Sequence, residues 1–77
     1  MNFFDDISET INNNVAAVLC IIIGAEGSTP RKPGSKMLVF ADGTIKGTIG
    51  GGSIEKEAIE LARNMIGTDT TLVKDFN

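Results

Sequence analysis

The spacing of apolar residues changes several times along this chain, and each pattern predicts an element. Phe3, Phe4, Ile7 and Ile11 recur at helical spacing, with Asp5, Asp6 and Glu9 early in the segment. Negative charge there suits the positive end of a helix dipole. Asn12-Asn13-Asn14 ends this helix. The run Val15 to Ile23 is continuously apolar and closes on three β-branched residues, which predicts a central strand covered on both faces. Lys36 to Phe40 and Thr44 to Ile49 read as two strands. Ala41-Asp42-Gly43 turns between them, so the pair is a β-hairpin. Ile54, Ala58, Leu61, Ala62 and Met65 then mark one face of a helix. Ser53 is placed to cap its start and Gly67 to close its end. Thr70 to Val73 is β-rich and predicts a last strand. The order is helix, strand, hairpin, helix, strand. It gives an α/β (α+β) domain over residues 1–77, a small mixed sheet with a β-hairpin and two helices packed on it.

Two connections stand outside this pattern. Gly24 to Ser35 holds Gly27, Pro30, Pro33 and Gly34. The prolines fix φ and hold Thr29 and Lys32 extended. An irregular loop of this length in so small a domain is often functional. The second connection is Gly50-Gly51-Gly52-Ser53. Successive amides without Cβ atoms are able to converge on an anion, and a helix starting there adds partial positive charge. The same glycines also serve a plain strand-to-helix turn. Glu55 follows in the first turn, where it either stabilises the helix or belongs to a site.

Composition narrows the chemistry. The chain has 77 residues, no histidine and one cysteine, Cys20. It therefore has no internal disulfide, no metal signature and no nucleophile paired with a histidine base. Cys20 lies within the apolar run and reads as a small buried hydrophobe. The net charge is −3, yet Arg31, Lys32, Lys36 and Lys46 face only Asp42 between residues 31 and 46. An acidic chain with one basic segment is a poor nucleic-acid binder but is able to hold a small anion. No basic leader precedes the first apolar residues, and Val15 to Ile23 is too short to span a bilayer. The expected location is the cytoplasm. The glycine spacing matches neither a P-loop nor a dinucleotide fingerprint.

Three motifs occur in order: Glu26-Gly27-Ser28-Thr29-Pro30-Arg31-Lys32-Pro33-Gly34-Ser35-Lys36-Met37, Ala41-Asp42-Gly43, and Gly47-Thr48-Ile49-Gly50-Gly51-Gly52-Ser53-Ile54-Glu55. Together they resemble the N-terminal domain of the XdhC/CoxI family, accessory factors for xanthine dehydrogenase-type molybdenum hydroxylases. The resemblance implies a non-catalytic chaperone that binds molybdenum cofactor (molybdopterin), supports its sulfuration and helps deliver it to the apo-enzyme. Its partners would be that hydroxylase, a sulfurtransferase and a second copy of the chain. The cofactor-binding residues would be Gly27, Ser28, Arg31 and Lys32 with Gly50, Gly51, Gly52, Ser53 and Glu55. Two features depart from the pattern. Many family members have Gly-Gly-Cys where this chain has Gly51-Gly52-Ser53, and many continue into a Rossmann-type C-terminal domain. The other functional classes compatible with the residues are a dimerisation module and the N-terminal part of a larger oxidoreductase-like protein.

Overall fold

A computed structural model describes residues 2–24, 33–68 and 70–73. Its elements are α1 (Phe3–Asn12), β1 (Ala17–Ile21), β2 (Lys36–Phe40), β3 (Ile45–Gly47) and α2 (Gly52–Met65). Asn2 caps α1: its side chain accepts from the Asp5 amide at 3.0 Å, and the Asp5 carboxylate accepts from the Asn2 amide at 3.3 Å. This reciprocal pair satisfies two groups that no helix can pair internally.

The strands form one sheet in the order β1-β2-β3, antiparallel throughout. Val18 faces Val39, Cys20 faces Met37, and Met37 in turn faces Gly47. Alternation then separates two faces. Val18, Cys20, Met37, Val39 and Ile45 share the face beneath α2, where Met37 and Val39 are fully buried with Ile49, Ala58 and Ala62. Ala58 and Ala62 lie one turn apart, and their small side chains bring the helix close to the strands. Lys36, Leu38 and Lys46 share the opposite face. There α1 meets them, through an Asp6–Lys46 ion pair at 3.7 Å and the Phe4 ring 6.0 Å from the Lys36 ammonium. Two helices thus sandwich a three-stranded antiparallel sheet, and the expected α+β class with its hairpin is borne out.

Four expectations of detail are corrected. β1 is an edge strand, not a central one; β2 takes the centre. Since α1 sits over β3, no described element covers the outer face of β1, and Leu19, Ile21 and Ile23 are 43%, 45% and 76% exposed. β3 stops at Gly47, whose positive φ ends the extended backbone. Thr70 to Val73 forms no strand: the segment pairs with nothing in the sheet, and Leu72 and Val73 are exposed. The parallel partner that a mixed sheet needs is therefore not among the described strands. Finally, α2 begins before Ser53. Gly51 is its N-cap and has no side chain to cap with, so Ser53 lies inside the first turn.

Candidate functional site at the Thr48–Glu55 loop

Strand register decides where the loops emerge. Ile21 pairs with Lys36 and Met37 with Gly47. The end of β1, the start of β2 and the end of β3 therefore lie at one edge of the sheet. Beyond Ile21 and before Lys36 the two chains remain bonded, Ile22 N–H to Ser35 O at 2.9 Å and Gly34 N–H to Ile22 O at 2.6 Å. Both flanks of the Gly24–Ser35 connection thus leave the sheet at the end where Gly47 leads into the glycine loop. Gly27, Ser28, Arg31 and Lys32 themselves lie outside the described residues.

Within the glycine loop, Gly50, Gly51 and Gly52 all have positive φ, at 118°, 75° and 72°. An anion nest alternates right- and left-handed residues, and this run does not. Gly51, with ψ −169°, sits in a region that is open essentially to glycine alone. A Cβ placed on it would meet no described atom within 4 Å. Glycine is required there by the backbone.

Glu55 organises the loop. Its Oε2 accepts from the Thr48 hydroxyl at 2.6 Å, the Gly51 amide at 2.8 Å and the Ile49 amide at 3.3 Å. The Thr48 hydroxyl oxygen in turn accepts from the Gly50 amide at 3.0 Å. A carboxylate four residues beyond the N-cap reaches back to the amide of the N-cap residue Gly51 and to the loop before it, and so ties the loop to the start of α2. Charge-assisted bonds of this kind are about twice as strong as neutral ones. The sequence offered Glu55 as either helix stabiliser or site residue; its described bonds are all to the loop. Thr48 was absent from the expected site. Its signal in the sequence was its place directly before the glycines, seven residues ahead of a carboxylate.

Ser53 is exposed, one residue beyond Gly52. Cys20 packs against the core beneath α2, and burial pushes its thiol pKa up, which keeps it protonated and slow to react. Among the described residues no group of His, Cys, Asp and Glu is arranged to hold a metal ion. The loop's described polar groups are amides and hydroxyls, several of them already bonded to Glu55 and Thr48, and they do not fit thiolate chemistry on sulfur or molybdenum.

A second concavity, a groove of about 540 Å³ lined by residues including Glu9, Phe40, Asp42 and Lys46, opens at the opposite end of the sheet. At its rim Asp42 accepts from the Thr44 hydroxyl at 2.7 Å and the Thr44 amide at 3.0 Å, and its pKa is lowered by those bonds. Arg63 ties the end of α2 to this turn through Ala41 O at 3.3 Å. No described helix is long and apolar enough to cross a membrane.

Comparison with known proteins gives this arrangement a family. The model of the XdhC and CoxI family matches residues 10–77, from the last turn of α1 through both loops. The chain is also 43% identical over 60 residues to a protein of Escherichia coli (strain K12) named Uncharacterized protein YqeB. That match covers 78% of the chain and 11% of the relative, so the chain spans about a ninth of that protein's length. No solved structure matches. The three motifs, the loops that leave the sheet together and the family match agree: the chain belongs to the XdhC and CoxI family, a family of molybdoenzyme maturation factors that are generally accessory proteins rather than catalysts.

Proposed function

We propose that this domain is a non-catalytic holder of molybdenum cofactor that supports its maturation and transfer to a xanthine dehydrogenase-type apo-enzyme. Bound in that enzyme, the cofactor supplies the metal centre of the hydroxylation. This chain's residues bind and orient it. Gly50, Gly51, Gly52 and Ser53, with Glu55 behind them, form one wall. Gly27, Ser28, Arg31 and Lys32 form the other, with Arg31 suited to grip an anionic oxygen pair bidentately.

The observation that carries this reading is the common exit of the two connections from one end of the sheet. The described flanks of the two connections leave the sheet at the same end, and in sequence one connection is basic and the other rich in glycine. Calorimetry of the purified chain with molybdenum cofactor tests the reading. Saturable binding that weakens in Arg31→Ala and in Gly51→Ala is the expected result. A folded chain that shows no heat at high micromolar cofactor overturns it. A sulfurtransferase partner, if recruited, has to bring its own thiol, because Ser53 offers none.

A second reading, a dimerisation module, is favoured by the uncovered outer face of β1. Leu19, Ile21 and Ile23 form an apolar row along an edge strand that carries no charge, and such edges invite pairing. Sedimentation velocity distinguishes the cases: a dimer that Ile21→Lys converts to monomer supports pairing there, and a monomer at all concentrations removes it.

A further inference from the structure

We propose that the first turn of α1 is a positioning clamp for both connections. Phe3 seats the start of the glycine loop through Gly47, and Phe4 seats the end of the Gly24–Ser35 connection through Lys36. The proposal rests on the reading of these connections as two walls of one site, and it names residues outside both walls that fix their relative place.

The contacts that carry it lie at one edge of the sheet. Two carbons of the Phe3 ring stand 2.7 and 3.0 Å from where a Cβ on Gly47 would be, and the Lys36 carbonyl oxygen stands 2.6 Å from the same point. Gly47 is the last residue of β3 and has φ +80°. The ring therefore bears on the residue at which the chain turns out of the sheet toward Thr48. The Lys36 side chain serves the other connection. Its ammonium donates to the Gly34 carbonyl at 2.9 Å and lies 6.0 Å from the centre of the Phe4 ring. A cation over an aromatic face is attracted by the ring quadrupole. Lys36 is thus the junction: its carbonyl belongs to the Gly47 contact and its ammonium to the Gly34 contact. The Asp6–Lys46 ion pair, one residue before Gly47, holds the helix along β3.

No residue of α1 is buried, and the main buried cluster lies on the other face of the sheet. The first turn of the helix instead sets two neighbouring rings at the edge from which both connections leave. Walls held in place before a ligand arrives lose less freedom when it binds. Phe3 and Phe4 act through Gly47 and Lys36 rather than by touching the ligand, so both are positioning residues.

The test measures amide hydrogen exchange by NMR in the natural chain, Phe3→Ala and Phe4→Ala. Bonded amides report on each wall: Ile49 and Gly50 for the glycine loop, Ile22 and Gly34 for the other connection. Phe3→Ala is expected to speed exchange at Ile49 and Gly50 by at least about tenfold beyond any change at the sheet pair Val18 and Val39. Phe4→Ala is expected to act in the same way at Ile22 and Gly34. Phe3→Tyr keeps the ring and is expected to restore the natural rates. Unchanged rates at the wall amides, or a change no larger than that at Val18 and Val39, overturn the proposal. Should Phe3→Ala not fold, Phe3→Leu removes the ring and is judged by the same criterion. Calorimetry with molybdenum cofactor keeps the two readings separate. Where the natural chain binds, Phe3→Ala is expected to bind at least about tenfold more weakly, and equal affinity overturns the positioning role. A natural chain that does not bind removes the cofactor assignment, while the exchange comparison still decides the clamp.

Discussion

The Phe3 ring closes over the bare Cα of Gly47. A Cβ at Gly47 would lie 2.7 Å from the ring's Cε1 and 2.6 Å from the Lys36 carbonyl oxygen, and φ there is +80°. One glycine therefore meets three demands: it ends β3, opens the path into the glycine loop and admits α1 onto the sheet.

Gly47→Ala is expected to destabilise the domain by roughly 2–5 kcal/mol, from backbone strain together with overpacking. Urea denaturation checks it. The clash with Phe3 has its own signature: Phe3→Ala costs less in the Gly47→Ala background than in the natural chain. Equal costs in both backgrounds show that the ring is not the obstacle.

Gly51→Ala separates backbone strain from packing. No described atom lies within 4 Å of its Cβ position, so the expected cost is that of the backbone, about 1–3 kcal/mol. The expected result is a smaller loss of stability than at position 47 and a displaced Glu55, seen as changed amide shifts at Ile49 and Gly51. A stability loss larger than that of Gly47→Ala contradicts the assignment.

Asp42 supplies a pH prediction. The Thr44 hydroxyl and then the Thr44 amide hold its carboxyl below the usual range. With a folded pKa below the unfolded one, its contribution is present above the unfolded carboxylate value and is lost as pH falls through the folded value. Carboxyl NMR titration is expected to show the Asp42 midpoint rising in Thr44→Val; an unmoved midpoint removes the hydroxyl as the cause.

Cys20 has the opposite sign. Burial raises its thiol pKa. Its contribution is complete below the unfolded thiol value and is lost as pH rises through the folded value. At mildly alkaline pH a disulfide reagent is expected to modify the folded chain much more slowly than the urea-unfolded chain. Equal rates would show an accessible thiolate and reopen a thiol role for this chain.

The legible parts of the fold were those whose signal is local. Helical spacing placed α1 and α2, and a turn containing glycine placed the hairpin, because period and turn chemistry are written within a few residues. The candidate loop was equally visible as a run of glycines. Its filling was not: the bond from Glu55 to Thr48 spans a helix start and seven residues, and no periodic signal records which way a carboxylate turns. Ser53 has the right chemistry for a cap, yet α2 starts at Gly52, which puts Ser53 inside the first turn. The run Val15 to Ile23 was apolar enough for a buried strand, but which faces are covered depends on where two helices land.

By itself the sequence determined the element types, the absence of histidine and of a second cysteine, and the two motif-bearing connections, since each follows from residue identity and short-range spacing. The tertiary structure alone decided that β2 is central and β1 an edge. Antiparallel register then brings the ends of both connections to one edge of the sheet. It also decided that the loop amides at Ile49 and Gly51 are held by the chain's own carboxylate. These are relations between residues far apart or across a turn, fixed by packing and hydrogen-bond competition rather than by any stretch of sequence.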